Sequence, residues 1–219
     1  MAVLFFLLAI VGCVLARPSS ENVKPVEVTI YYEALCPDCQ DFIPDQLLPA
    51  YTDTKFDFAS LISKLTLVPY GWVDVINATT HDYQCQHGQS ECEGNRLHSC
   101  ATKYIPDVLT TLNYIACLEK QAIMAYKLSR SSKYPIDKCQ NKLPAGLYPK
   151  IINCYKSDEG WELFEKNGKK TVAFFPYGGF VPYVSFNDGH DDDLAQDAVD
   201  NFKKTLCEIT GVVDEACSS

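Results

Sequence analysis

The residues best suited to do chemistry in this chain are two cysteines with two residues between them, Cys36-Pro37-Asp38-Cys39. Breaking a disulfide requires a thiolate to attack one sulfur and a second thiol to resolve the mixed disulfide, so two cysteines must lie within bonding reach. Two intervening residues in the first turn of a helix supply that reach. A cysteine at the helix start also faces unpaired backbone amides and the positive end of the helix dipole, which favour its charged form. Cys36 is therefore the expected attacking sulfur and Cys39 the resolving one. An unperturbed thiol of pKa about 8.5 is roughly 3 % ionised at pH 7 and about 0.03 % at pH 5, and a helix terminus alone supplies less than a shift of two units requires. Some further group must help. Asp38 would oppose ionisation if it faced the sulfur, so it is expected to point outward. Such cysteine pairs also occur as buried staples and in zinc sites. A strand end followed by a helix start is expected to present this pair at the surface. Oxidising secretion and the absence of a second such pair disfavour zinc held with Cys85, His87 and Cys92, and no metal is expected.

The elements that must position the pair are readable around it. Residues 26–33, VEVTIYYE, alternate Val26, Val28, Ile30 and Tyr32 with mostly polar neighbours, the period of a strand, which ends where the cysteines begin. A helix should start near Cys36, with Pro37 tolerated in its first turn and Pro44 bending it one or two turns later. Residues 64–69 look like a second buried strand. A cysteine-rich polar segment, 85–100, leads into residues 105–128, where Ile105, Val108, Leu109, Leu112, Ile115, Ala116, Ile123 and Tyr126 recur at helical spacing. Shorter helices are expected at 147–156 and 158–167, the latter stopped by Asn167-Gly168. Strands are expected at 171–175 and 182–186, with a turn at Asn187-Asp188-Gly189. One helix should follow over 191–209, stopped by Gly211. This order predicts an α/β fold, residues 17–219 forming one domain interrupted at about 76–170 by a disulfide-rich, mostly helical insertion.

The first 16 residues, MAVLFFLLAIVGCVLA, are apolar and end in small residues, as a secretory signal peptide does. The run is short for a bilayer span, and no second one is found. Removing it takes Cys13 and leaves 10 of the 11 cysteines, an even number suited to an oxidising compartment. Net charge of −9 argues against a nucleic-acid partner. Asn77-Ala78-Thr79 is an N-glycosylation triplet and predicts an exposed loop.

Resemblance sharpens the reading. The segment from Cys85 to Cys100, CQHGQSECEGNRLHSC, resembles the signature of the gamma-interferon-inducible lysosomal thiol reductase family at every specified position: Cys85, Gln86, His87, Gly88, Glu91, Cys92, Asn95 and Cys100. The upstream cysteine pair and Phe180-Val181-Pro182-Tyr183, followed by Asn187, are also similar to that family. The resemblance implies a thioredoxin-like fold with a helical insertion, processing through the secretory path, and reduction of disulfides in partly unfolded proteins in acidic compartments. It implies the attacking role for Cys36, the resolving role for Cys39 and a cis bond at Val181-Pro182. That turn would aim the Val181 backbone at the cysteines, where it could pair with an extended substrate. The chain departs from mammalian members between the cysteines, with Pro37-Asp38 in place of Gly-Ala, which bears on redox potential.

Eight cysteines remain, Cys85, Cys92, Cys100, Cys117, Cys139, Cys154, Cys207 and Cys217. They allow 105 pairings, among which the sequence does not choose, and they are expected to staple the insertion and the carboxyl end. His87 is a candidate influence on the active thiolate. His81, His98 and His190 read as solvated surface groups. Phe174, Phe175, Tyr177 and Tyr183 could form an apolar rim for unfolded substrates or pack in the core. The expected function is a disulfide reductase without cofactor, re-reduced by small thiols, in endolysosomes or secreted. The contrasting reading is a non-catalytic, disulfide-stabilised secreted binding protein in which Cys36 and Cys39 form only a staple.

Overall fold

The computed structural model of the chain describes residues 23–129 and 133–218, so the expected signal peptide, Met1–Ala16, lies outside the described residues. The alternating residues 26–32 form strand β1 (Val26–Tyr32), with Val28, Ile30 and Tyr32 fully buried. β1 is the middle of a three-stranded sheet. On one side β2 (Ile62–Pro69) runs parallel, with Ile30 opposite Leu67. On the other β5 (Tyr183–Phe186) runs antiparallel, with Ile30 opposite Val184.

From β1 the chain turns through Glu33–Cys36 into helix α1 (Pro37–Phe42). Pro44 has no amide to donate, and the backbone accommodates it by widening to a π turn over Ile43–Leu47 before α2 (Leu48–Thr52).

Between β2 and β5 lie a hairpin of β3 (Val73–Asn77) and β4 (Asp82–Cys85), and then the helices α3 (Gln89–Tyr104), α4 (Val108–Ser129), α5 (Leu147–Lys156) and α6 (Asp158–Phe174). The hairpin was not expected, because Val75 and Ile76 are exposed and leave no alternating pattern. The helix expected over 105–128 starts only at Val108. Ile105 takes extended backbone (φ −90, ψ 113), as a residue before proline must. The polar segment before it is itself helical, burying Cys92, Leu97, Cys100 and Ala101.

The strand expected at 171–175 is overturned, since α6 continues to Phe174. Asn167 and Gly168 do not stop it, for they serve packing: a Cβ on Gly168 would lie 2.5 Å from the Tyr70 ring, and Asn167 Nδ2 donates to Ser99 Oγ at 2.9 Å. The single carboxyl-terminal helix is likewise corrected to α7 (Asp192–Asp200) and α8 (Phe202–Thr210), broken where the Asn201 side chain accepts from Lys204 N at 3.1 Å and caps the second. Gly211 ends α8 in left-handed backbone, as expected.

Two apolar clusters meet along α4. Leu112, Ile115 and Ala116 pack with Ile30, Phe42, Phe202, Leu206, Cys36 and Cys39. Tyr114 and Leu118 pack with Leu97, Tyr134 and Ile151 inside the helical block. Among the described residues four disulfides join Cys85–Cys92, Cys100–Cys154, Cys117–Cys139 and Cys207–Cys217. Cys36 and Cys39 remain as free thiols. The zinc arrangement weighed for Cys85, His87 and Cys92 is excluded, because bonded sulfurs offer no thiolate ligands.

Candidate active site

Cys36 is the N-cap of α1, with extended backbone (φ −62, ψ 124), so its sulfur sits where the first-turn amides are unpaired. Its thiol is lowered from 9.0 to about 7. A hydrogen bond from Cys39 is the largest cause; burial opposes it, and the backbone amides of Cys39 and Asp38 add to it. Asp38 is exposed, as expected, and its carboxylate raises the Cys36 pKa least of the contributions. Cys39 is fully buried and its thiol is pushed well above the ordinary range, chiefly by burial. The backbone N–H of Glu33 donates to its sulfur at 3.4 Å.

The expectation that the pair lies at the surface is corrected: Cys36 is only 6 % exposed and Cys39 not at all. The covering comes from two sides. The Cys36 thiol donates to the Val181 carbonyl oxygen at 3.6 Å, and the Val181–Pro182 peptide is cis. A cavity of about 410 Å³ opens here, lined by Asp38, Asp41, Phe180, Val181 and Pro182. A second cavity of about 630 Å³ is lined by Leu35, Pro37, Gln40, His87 and Ile123. The two residues that follow Cys36 divide between these cavities, Pro37 lining the larger and Asp38 the smaller.

The turn that carries Cys36 is held from below. Asn95 Oδ1 accepts from Ala34 N at 2.9 Å, while its Nδ2 donates to Tyr70 O at 3.0 Å. Glu91 Oε2 accepts from Leu35 N at 3.3 Å, and Gln40 Nε2 donates to Ala34 O at 3.0 Å. Three successive amides, those of Glu33, Ala34 and Leu35, are therefore each captured by a side chain. Glu91 and Asn95 stand one turn apart on α3, which is why the two can reach adjacent amides. Both are specified positions of the sequence signature, yet spacing alone assigned them no role.

Glu91 also accepts from the backbone N–H of His87 at 2.9 Å and meets its ring Nδ1 at 2.6 Å. The same Nδ1 is 3.3 Å from Glu33 Oε2. His87 is thus engaged with two carboxyl groups. Burial and the neighbouring Glu91 push the Glu33 carboxyl up to about 8, and burial also raises Glu91.

A third buried acid was missed by the sequence reading. Glu119, on α4, is fully buried, and neither carboxyl oxygen has a hydrogen-bond partner. Burial and the Cys36 sulfur push its pKa well above the carboxylate range. It lies four residues from both Ile115 and Ile123, so a charged residue on an otherwise apolar helix face was the available signal.

Other candidates redistribute. His98, expected at the surface, is fully buried between the hydroxyls of Tyr32 (3.1 Å) and Tyr134 (2.6 Å), and burial lowers it to about 3. His81 stacks on Trp161, and exposed His190 stacks on Phe174. The aromatic rim resolves mostly into core, because Phe175 and Tyr183 are buried together while Tyr177 projects into solvent. Asn77 is exposed at the end of β3.

The comparisons agree with one another. The family model described as "Gamma interferon inducible lysosomal thiol reductase (GILT)" matches residues 27–143. The chain is 32 % identical over 195 residues to the gamma-interferon-inducible lysosomal thiol reductase of Carassius auratus, covering 86 % of this chain and 70 % of that protein. It is 31 % identical to a gamma-interferon-inducible lysosomal thiol reductase-like protein of Anopheles gambiae, covering 84 % and 76 %. Among solved structures it is similar to Chlamydia trachomatis DsbA, with a TM-score of 0.51 and 16 % identity over 84 % of this chain and 86 % of that one. The fold is thioredoxin-like.

Proposed function

The chain belongs to the gamma-interferon-inducible lysosomal thiol reductase family, and we propose from that membership that its thiol-disulfide oxidoreductase activity runs through Cys36 as nucleophile and Cys39 as resolving thiol. The observation that carries this assignment is the opposite displacement of the two thiols, one lowered to about 7 and the other raised. At pH 5 a pKa near 7 leaves about 1 % thiolate, against about 0.01 % for the ordinary value of 9.0. That hundredfold gain is what an enzyme working in an acidic vesicle needs from its attacking sulfur.

The Cys36 thiolate attacks one sulfur of a substrate disulfide, forms the mixed disulfide and expels the other sulfur as a thiolate that takes up a proton. Cys39 then loses its proton, attacks Cys36 Sγ and releases the second substrate thiol. Substrate gains two electrons and two protons, and the enzyme is left as the Cys36–Cys39 disulfide, which two equivalents of a small thiol reduce again. The Val181 backbone, next to Cys36, is the edge on which an extended substrate segment would pair. The family membership supports disulfide-bonded proteins as substrates, and we take them to be partly unfolded when they reach Cys36. Residues 17–219 act as one domain with the helical block inserted, delivered through the secretory pathway to lysosomes or beyond, with Asn77 glycosylated. No helix among the described residues is long and apolar enough to cross a membrane.

The test is reduction of insulin or denatured antibody at pH 4.5–5.5 with dithiothreitol, for the parent, Cys36→Ser and Cys39→Ser. Cys36→Ser should be inactive, and Cys39→Ser should accumulate a mixed disulfide with substrate. Equal rates for all three would return the chain to a binding protein stapled by its cysteines.

A further inference from the structure

The redox step makes no use of the cluster of Glu33, His87 and Glu91, whose ligand-bearing atoms all lie within 4.8 Å of one another. Both carboxyl side chains are wholly buried, while His87 keeps 31 % of its side chain in solvent and lines the cavity of about 630 Å³. Two carboxyl groups in one dry place repel unless one keeps its proton or a positive charge lies between them.

The surroundings are shaped for these groups. Trp72 N donates to Glu33 Oε1 at 2.6 Å, His87 N donates to Glu91 Oε1 at 2.9 Å and Leu35 N to Glu91 Oε2 at 3.3 Å, so backbone fixes one oxygen of Glu33 and both of Glu91. Gly71, in left-handed backbone (φ 66), leaves open the volume that the Glu33 carboxyl fills; a Cβ there would lie 2.0–2.4 Å from it. The remaining oxygen, Glu33 Oε2, is buried without a hydrogen-bond partner and faces His87 Nδ1 at 3.3 Å. Glu91 Oε2 meets the same nitrogen at 2.6 Å. Four-coordinate zinc, with bonds of about 2.0–2.2 Å, places neighbouring ligand atoms roughly 3.3–3.5 Å apart, so small side-chain adjustments bring these three atoms around one ion.

We propose that Glu33 Oε2, His87 Nδ1 and Glu91 Oε2 form a binding site for a divalent transition-metal ion of the zinc class, with water completing the coordination. Backbone amides orient both carboxylates, as outer partners do in metal sites. One imidazole and two oxygens select against magnesium and calcium, which take six or more oxygens. The site opens to solvent on the His87 side, beside the redox centre but without its sulfurs.

The experiment uses residues 17–219 with intact structural disulfides and Cys36→Ser and Cys39→Ser together, so that no free thiol takes the metal and the outcome is independent of the redox assignment. Titration calorimetry with Zn²⁺ should give one ion per chain, and Mg²⁺ should give none. Glu33→Gln and His87→Ala should each weaken binding at least tenfold. X-ray absorption of the zinc-loaded protein should show only nitrogen and oxygen neighbours, a reading that needs no ligand variant to fold. Absence of saturable Zn²⁺ binding, unchanged affinity in both variants, or a sulfur neighbour at the metal would each overturn the site.

Discussion

The hydrogen bond from the Cys39 thiol is the largest contribution to the low pKa of Cys36, ahead of the backbone amides at the helix start. Under the proposed division of roles, Cys39 thus favours the Cys36 thiolate before it resolves anything. The cost falls on Cys39, whose own thiol is raised by the same bond and by burial. The helix terminus was the device expected from sequence, and the additional group it needed is the second cysteine of the pair.

Alkylation reads this division directly. Iodoacetamide should modify Cys36 with a pH midpoint near its value of about 7, and Cys39 should stay unmodified in the folded chain. Cys39→Ala removes the bonded proton and should move the Cys36 midpoint upward by about one unit, which is tenfold less thiolate at pH 6. An unmoved midpoint would assign the effect to the backbone amides instead.

Asn95 ties the turn before Cys36 to the end of β2 by bonding both Ala34 N and Tyr70 O. Asn95→Ala leaves two buried backbone groups unpaired, each worth about 1–3 kcal/mol. Urea unfolding should show a loss of about 2–4 kcal/mol, and alkylation of Cys36 at pH 6 should slow several-fold because the turn no longer holds the sulfur in place. A stability loss with unaltered alkylation would make Asn95 structural only.

What was legible in the sequence follows the range of the forces involved. β1, the start of α1 at Cys36 and the Gly211 stop are set by neighbours a few residues away, and local pattern finds them. Asn167-Gly168 misleads because Tyr70 and Ser99, nearly a hundred and nearly seventy residues away, decide its use. His98 reads as polar surface only until Tyr32 and Tyr134 close over it. Glu91 and Asn95 were recognised as signature positions, but their work is done on amides that a motif does not display. The burial of Cys36 depends on the Val181 loop, 145 residues downstream, and no local rule reports that approach.

The four disulfides should differ in worth according to the loop each closes. Cys100–Cys154 spans 54 residues and Cys85–Cys92 only 7. Loop-closure entropy gives about 4 kcal/mol for the first and about 2 for the second. Paired replacement by alanine should lower the urea midpoint accordingly, most for Cys100→Ala with Cys154→Ala. A larger loss at Cys85 and Cys92 would mean that this bridge acts by holding the His87 turn rather than by shortening a loop.

Buried acids give the stability of this chain an unusual dependence on pH. Glu33 (about 8), Glu91 and Glu119 are all raised above the value near 4.5 that they regain on unfolding. Between pH 5 and 7 Glu33 and Glu119 keep in the folded chain protons that the unfolded chain releases, and Glu91 acts in the same direction, so stability is greatest at the acid end and falls as pH rises. His98 works in the opposite sense, because burial lowers it from 6.5 to about 3 and the unfolded chain takes up a proton that the folded one refuses. One histidine offsets one carboxyl, and the carboxyls prevail. A carboxyl that stays protonated in the fold across this window contributes about 1.4 kcal/mol per pH unit, or about 3 kcal/mol over the two units. Urea unfolding of the Cys36→Ser, Cys39→Ser chain should therefore give a higher midpoint at pH 5 than at pH 7, with thiol titration removed from the comparison. Glu119→Gln keeps the shape and cannot ionise, so it should flatten the dependence by up to about 3 kcal/mol. Equal slopes with and without that substitution would mean that Glu119 is ionised inside the fold, and its place beside the two cysteines would then demand a cation.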